Sequence, residues 1–137
     1  MVRPTPEQMD RMRHHEQVAA VGAHTVGAPD GGPGIPGVGW STAHGDVRIP
    51  HFFGLHGLQI VPFLGWWISR RRGDQVRLVF AAAASYLAFV AILVWQALRG
   101  QSILEPDLTT AVVFAVWLSV TATAALAFRR APVEALA

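Results

Sequence analysis

Three apolar segments dominate the second half of this 137-residue chain, and each is long enough to cross a lipid bilayer. They cover about residues 49–68, 76–98 and 108–128, and a membrane-spanning helix needs roughly 20 residues. The second and third segments contain no charged residue except Arg77. Because each segment is apolar on all sides, it does not match a surface helix of a soluble protein. The sequence therefore predicts an all-α integral membrane protein with three transmembrane helices.

The composition also indicates lipid as the surrounding medium. Hydrophobic residues make up 52% of the chain and charged residues only 15%, well below the roughly 25% of a soluble domain. The arginines stand mainly at the ends of the apolar segments and form no basic face, so we expect no nucleic-acid partner. The chain has no cysteine, which excludes a disulfide framework and a thiolate metal site.

The placement of arginine predicts how the three segments are oriented. Residues 70–77 hold four arginines and one aspartate, whereas residues 99–107 hold one arginine and two acids. Two further arginines open the tail, residues 129–137. The positive-inside rule places the first of these loops and the tail in the cytoplasm. We therefore expect a plasma-membrane protein with its N-terminus outside and its C-terminus in the cytoplasm.

Residues 1–48 form the external segment in this arrangement. Residues 5–8, Thr-Pro-Glu-Gln, match the start of a helix, and we predict that helix over about residues 6–21. Residues 27–40 then hold six glycines and three prolines, which exclude regular structure. Two interpretations remain open: a flexible linker, or an ordered loop folded onto the outer ends of the helices, which suits apolar residues such as Trp40.

Small residues recur at every fourth position of the third apolar segment. In lipid, such stripes are typical of helix contact faces, although an alanine-rich composition can also produce them. The glycines Gly54 and Gly57 would let other backbones come close to the first segment. We expect packing against other membrane helices, from a second copy or another subunit, through the residues of the stripe: Ala111, Ala115, Ser119, Thr123 and Ala127.

The first apolar segment carries polar residues that a simple span does not need. At about 100° per residue, His56 and Gln59 share one face of a helix, whereas His51 lies away from it. Pro62 would free a backbone carbonyl and kink the helix. An ionisable residue inside a membrane is by default a candidate functional site, so His56, Gln59 and His51 are candidate ligand-binding residues. The alternative is that they only form hydrogen bonds between helices.

A haem, a divalent metal or a quinone could bind at His56, but the sequence requires none of them. The second and third segments contain no histidine. A bis-histidine haem would therefore need a second copy, another subunit or a missing part of the chain. A separate external metal site could use His24, His44 and Asp46, because imidazoles with a carboxylate suit zinc or copper.

Five short motifs stand out in the first half of the chain: HTVG at 24–27, DGGPG at 30–34, GWST at 39–42, GDVR at 45–48 and HFFGLHGLQ at 51–59. Over about residues 3–65 the chain thereby resembles a family of uncharacterised bacterial multi-pass membrane proteins, which implies a bacterial inner membrane. The resemblance implies that the loop and the histidines belong to one unit, but it implies no biochemical activity. It also implies further transmembrane helices before this segment in other members, which leaves open whether this chain is a short form or a truncated reading frame.

Three functions from different classes follow from these features. The one we favour is non-enzymatic: a structural or accessory membrane subunit. The second is a redox membrane protein that binds haem, metal or quinone through His56. The third is half of a dimeric transporter with Gln59 and Pro62 on the pathway. A hydrolase is not predicted, because Ser41 and His44 in a loop are no more than a common coincidence.

Overall fold

The computed structural model describes residues 6–15, 24–72 and 76–130, and this part of the chain is mostly helical. Its contacts group the chain into two units, which are described in turn: residues 1–49 with 95–106, and residues 50–94 with 107–137. The elements in chain order are α1 (Pro6–Arg13), β1 (Thr25–Val26), β2 (Gly45–Asp46), α2 (Arg48–Arg72), α3 (Val76–Leu98) and α4 (Leu108–Arg130).

The first helix is shorter than the sequence indicates. α1 ends at Arg13, whereas we predicted a helix to residue 21. His15 follows with a φ of 56°, a left-handed conformation that a continuing right-handed helix cannot contain. The predicted capping residue Thr5 and residues 16–23 lie outside the described part of the chain.

Residues 24–47 form an ordered loop and not a flexible linker. At its base β1 and β2 are antiparallel, with Thr25 opposite Asp46. Nearer its tip, the Ile35 amide donates to the Trp40 carbonyl over 2.8 Å. These pairs satisfy backbone groups that a glycine- and proline-rich segment cannot satisfy within a helix. We call residues 24–47 the glycine loop.

The base of the glycine loop packs against residues 95–106 of the same unit. Gly45 lies so close to Ala97 that a Cβ atom at position 45 would overlap the Ala97 carbonyl oxygen. The same Cβ would come 3.0 Å from the Cα of Gly100. Gly100 has a φ of 73° and follows α3 at the position where helices commonly end in a left-handed glycine. Backbone therefore meets backbone here, and glycine is required at position 45.

A buried polar contact shapes the segment after α3. The Gln96 side chain donates from Nε2 to the Ser102 carbonyl over 2.8 Å. The Ser102 hydroxyl oxygen accepts the Leu104 amide over 3.2 Å. Gln96 and Ser102 are each only 3% exposed, so these bonds are shielded from water. They hold the turn against which the glycine loop packs.

An aromatic cluster joins the three long helices of the second unit. Phe89 of α3 lies at its centre, with its ring centroid 5.5 Å from Phe53 of α2 and 5.2 Å from Trp117 of α4. The Phe53 contact is edge-on, at an interplanar angle of 84°, a geometry that aromatic pairs prefer. Tyr86 and Phe114 extend the cluster around Phe89.

Hydrogen bonds between α3 and α4 reinforce this cluster. The hydroxyls of Ser85 and Thr121 lie 2.7 Å apart. The Trp117 indole nitrogen donates to the Ser85 carbonyl over 3.0 Å. Polar side chains between helices commonly satisfy one another in this way when water is absent. The inner faces of α3 and α4 are thus matched by polar as well as apolar contacts.

Two of the long helices have the length and hydropathy of membrane spans. These are α3 over Val76–Leu98 and α4 over Leu108–Phe128, which is consistent with a membrane protein. α2 is long enough, at 25 residues, but it is not one of the two. Its histidines, glutamine, prolines and terminal arginines lower its mean hydropathy. The second and third predicted spans therefore coincide with helices of suitable length and hydropathy, and the first stays a prediction.

Candidate functional site

The glycine loop is organised around a buried carboxylate. Asp46 is 1% exposed and accepts from both Nε and Nη2 of Arg48, the Nη2 bond being 2.6 Å. It also accepts the backbone amides of Ser41 and Arg48, over 2.9 and 3.0 Å. Arg48 Nη2 donates as well to the Gly39 carbonyl. One ion pair thus connects the base of the loop to its tip.

These contacts decide the charge state of Asp46. Burial by itself would raise the pKa of the carboxyl group. The hydrogen bonds from Arg48 and the Ser41 amide, together with the charge of Arg48, lower the pKa by more than burial raises it. The pKa of Asp46 therefore lies below its usual value of 3.8, and the group is ionised near neutral pH.

A second carboxylate, Asp30, holds the start of the loop. It accepts the Thr25 amide over 2.8 Å and the His24 amide over 3.2 Å. Its Oδ1 also lies 3.4 Å from Nδ1 of His24. Burial raises the pKa of Asp30, but the hydrogen bonds from Thr25 and His24 lower it further, so the net shift is downward. Asp30 therefore fixes both the backbone and the ring of His24.

A cavity of about 350 Å³ opens in the glycine loop. This volume is at the lower end of those found for small-molecule sites, roughly 300–1,000 Å³. Polar side chains and glycine backbone form most of its wall, and none of the described residues that line it is acidic. The lining residues used below are His24, Gly32, Ser41, His44 and Arg48.

The three residues of the predicted external metal site do not act together. His24 and His44 both line the cavity, but the Asp46 carboxylate is occupied by Arg48 and two backbone amides. Among residues 6–15, 24–72 and 76–130, no group of three histidine, aspartate or glutamate side chains could hold a metal ion. The described lining of the cavity therefore holds two imidazoles and the Arg48 guanidinium but no carboxylate.

His56, the main candidate in the first apolar segment, is tied to its own helix. Its Nδ1 lies 2.9 Å from the carbonyl oxygen of Phe52, and its ring lies against that of Phe52, with centroids 4.1 Å apart and the planes tilted by 35°. Since a carbonyl can only accept, this contact assigns the ring proton to Nδ1. Nε2 then carries the lone pair, which is the arrangement of many metal-binding histidines.

The other polar candidates of α2 do not gather around His56. Gln59 and His51 are exposed, and within the described residues neither side chain has a hydrogen-bond partner. α2 continues unbroken through Pro62 from Arg48 to Arg72. The described part of the chain therefore presents His56 as a single imidazole rather than as one member of a polar cluster.

The two glycines singled out for helix packing differ in their surroundings. A Cβ at Gly57 would come 2.9 Å from Cε1 of Tyr86, whereas one at Gly54 would make an ordinary 3.9 Å contact with Val90. The Tyr86 hydroxyl donates to the Phe53 carbonyl over 2.6 Å, so the ring lies across α2 at Gly57. The absence of a side chain at Gly57 makes room for the Tyr86 ring, whereas position 54 has room for a methyl group.

The small-residue stripe of α4 faces away from the other two helices of its unit. Phe114, Trp117 and Thr121 make the inward contacts, and the stripe lies about half a turn away at 100° per residue. The hydroxyls of Ser119 and Thr123 donate to the carbonyls four residues earlier, each over 2.8 Å. All five members of the stripe are exposed: Ala111, Ala115, Ser119, Thr123 and Ala127.

Sequence reasoning missed Asp30 and the aromatic cluster. Asp30 precedes two glycines, which is a turn signal, and that signal could have indicated a carboxylate bonded to nearby backbone amides. The motif GDVR contains both partners of the Asp46–Arg48 pair, but nothing in the spacing showed that Asp46 is buried. The aromatic residues of α2, α3 and α4 gave no signal, because almost all positions of these segments are apolar.

Comparison with protein-family models, curated proteins and solved structures gives no match to this chain. The resemblance drawn from the motifs above therefore stays a prediction.

Proposed function

We propose that this chain is a three-span protein of the bacterial inner membrane. Only 6% of the α3 window and none of the α4 window is buried within the chain, whereas a core helix of a soluble protein would be mostly buried. α2, with 25 residues, is long enough for the third span. Its aromatic contacts with α3 support membership of the same bundle.

In this proposal the glycine loop is external and the C-terminus is cytoplasmic, as the arginines indicate. The chain contains no cysteine, so Ala43→Cys, at an exposed position of the loop, introduces a unique label site. A membrane-impermeant maleimide should label it on intact cells. A reporter fused after residue 137 should give the cytoplasmic signal. Labelling only after lysis, or a periplasmic reporter signal, would reverse the topology.

We further propose that the protein acts as a structural or accessory subunit whose α4 stripe packs against other membrane helices. The single observation that supports this is the exposure of all five small residues opposite the inward face of α4. Small residues allow the close backbone approach that drives helix association in lipid. Because the hydroxyls of Ser119 and Thr123 are already bonded within the helix, the stripe needs no polar partner.

The test is a pair of substitutions of identical chemistry on the same helix. Ala115→Leu enlarges the stripe, and Ala125→Leu enlarges an exposed position outside it. We expect the wild type and Ala125→Leu to form the same complex in native lipid particles, with Ala115→Leu shifted towards the free chain. The mass of the complex distinguishes a second copy from another subunit. A wild-type chain that is free in the bilayer, or two variants that behave alike, would contradict the proposal.

A second candidate function is binding of a haem iron, a divalent metal or a quinone at His56. The Nδ1 contact with the Phe52 carbonyl favours it, since Nε2 is then available to a ligand. The protein purified in detergent should then show a visible absorption band, bound metal or bound quinone, and His56→Ala should remove it. Protein without colour, metal or quinone would exclude this function and leave the first.

A further inference from the structure

We propose that the cavity of the glycine loop binds a phosphate group through Arg48, His44 and Ser41. The site is separate from the α4 stripe and from His56, and it goes beyond the proposed subunit function. The argument rests on the donors that remain in the cavity wall after the internal contacts of the loop have been satisfied.

Arg48 uses only part of its guanidinium group internally. Nε and Nη2 donate to Asp46 and Gly39, while Nη1 forms no hydrogen bond within the described residues. The Arg48 side chain is 39% exposed, in contrast to the fully buried side chain of Asp46. The guanidinium is thus held in place through Nε and Nη2, and Nη1 is available to donate to a ligand. A positioned guanidinium of this kind is a common phosphate ligand.

Two further donors share the same wall. The imidazole of His44 has no hydrogen-bond partner among the described residues, although its backbone amide donates to Ser41 Oγ over 3.0 Å. That contact uses the Ser41 oxygen as acceptor and leaves the hydroxyl hydrogen free to donate. Both residues line the cavity. Together with Arg48 they give the lining of this cavity three side-chain donors.

The side chains of the cavity wall indicate the ligand. The Asp46 and Asp30 carboxylates are held by Arg48 and by the Thr25 and His24 amides, and the described lining contains hydrogen-bond donors but no carboxylate. The fork of Arg48 that would hold a planar carboxylate side-on is already taken by Asp46. A phosphate, whose oxygens point in several directions, can accept from Arg48, His44 and Ser41 at once. Free phosphate and a lipid headgroup both supply this group, and the experiment separates the two.

Substitutions at Gly32 test whether the cavity prefers an anion. It lines the cavity, a Cβ there meets no atom within 4 Å, and its φ lies outside the left-handed region. Gly32→Asp therefore adds a negative charge at no steric expense, and Gly32→Asn is the neutral control of the same shape. Unchanged amide protection of Ser41 and Thr25 will show that each variant keeps the loop folded.

The first measurement is a titration of the full chain in a neutral, phosphate-free detergent with inorganic phosphate. We expect saturable binding to the wild type and to Gly32→Asn, and at least tenfold weaker binding to Gly32→Asp. The second uses phosphatidylcholine nanodiscs with and without phosphatidylglycerol. If either lipid protects the His44 and Arg48 amides relative to the phosphate-free detergent, and Gly32→Asp removes that protection, the phosphate group belongs to a lipid headgroup.

Two results would overturn the proposal. One is the absence of binding in both measurements, or equal binding by Gly32→Asp and Gly32→Asn. The other is a response of opposite sign, in which Zn²⁺ binds and Gly32→Asp strengthens its binding. That result would restore a cation site at His24 and His44.

Discussion

Arg48 grips the Asp46 carboxylate from the side, with Nε at 3.0 Å from Oδ1 and Nη2 at 2.6 Å from Oδ2. Only Val47 separates the two residues in sequence, yet their pair stabilises the glycine loop, residues 24–47. Arg48 also reaches the Gly39 carbonyl, near the tip. The ion pair therefore joins the base of the glycine loop to its tip.

The first prediction concerns Asp46→Asn. The substitution keeps the shape of the side chain but removes the charge that Arg48 and two backbone amides require. Hydrogen bonds to charged groups contribute roughly 1.5–3 kcal/mol each, and a partner left unsatisfied costs about 1–3 kcal/mol. Because Arg48 is partly exposed to water, we expect a loss near 2 kcal/mol in the local stability of the loop. Hydrogen exchange at the Ser41 amide measures it.

Asp10→Asn is the matched control for that substitution. Asp10 lies on α1 with a side chain that is 69% exposed, and its contact with His14 is 4.0 Å. Exposed pairs of this kind contribute little, so exchange in the glycine loop should not change. Equal effects from both variants would mean that the Asp46 pair has no special structural role.

The second prediction is a loss of loop stability in acid. The pKa of Asp46 is lowered in the folded chain from its usual 3.8. Its contribution is therefore complete above about pH 4 and disappears as the pH falls through the lowered folded value. The pKa of Asp30 is shifted in the same direction. Protection factors of the Ser41 and Thr25 amides should both decrease below pH 4. In Asp46→Asn, only the Thr25 amide should keep this dependence.

The third prediction is that Gly45→Ala disrupts the base of the loop. A methyl group there would overlap the Ala97 carbonyl oxygen, which is backbone and cannot rotate away. Overpacking of this kind costs roughly 1–3 kcal/mol, and we expect the upper end. Gly32→Ala is the control, since its Cβ meets nothing within 4 Å, and it should be neutral or slightly stabilising. Thermal unfolding in micelles compares the two, and equal melting temperatures would refute the close contact.

The fourth prediction separates the two glycines of α2. Gly57→Ala would push a methyl group to within 2.9 Å of the Tyr86 ring and strain the Tyr86 hydrogen bond to Phe53. Its overpacking penalty, roughly 1–3 kcal/mol, should exceed the gain of about 1 kcal/mol that alanine has over glycine in a helix. Gly54→Ala has room and should keep that gain. When both variants are unfolded in mixed detergent micelles, the free energy of unfolding should be higher for Gly54→Ala than for the wild type, and lower for Gly57→Ala.

The long helices could be located from the sequence because their signal is local. The predicted segments 76–98 and 108–128 correspond to α3 and α4, which end at Leu98 and Arg130. The first segment was predicted to end at residue 68, but α2 continues to Arg72. Hydropathy shows where the apolar residues end, whereas a helix ends where its backbone hydrogen bonds end. Because arginine is a good helix former, α2 continues through the arginines that follow the apolar segment.

The glycine loop could not be predicted in the same way. Its pairs join residues about twenty positions apart, such as Thr25 and Asp46, and two-residue strands are too short to show an alternating pattern. Three of the residues that matter for the site were identified from the sequence: His24, His44 and Asp46. Their grouping as metal ligands was based on residue type alone. The structure instead pairs Asp46 with Arg48, which takes the carboxylate away from the two histidines.

The close contact between Gly45 and Ala97 also determines which substitutions relatives of this chain can carry. Contacts between side chains leave correlated substitutions, because a larger residue on one side can be balanced by a smaller one on the other. Here the colliding partner at residue 97 is a carbonyl group, which every amino acid carries, so no exchange there can make room for a side chain at position 45. Relatives of this chain should therefore show an invariant glycine at position 45 and no covariation with position 97, and methods that infer contacts from correlated changes would overlook this one.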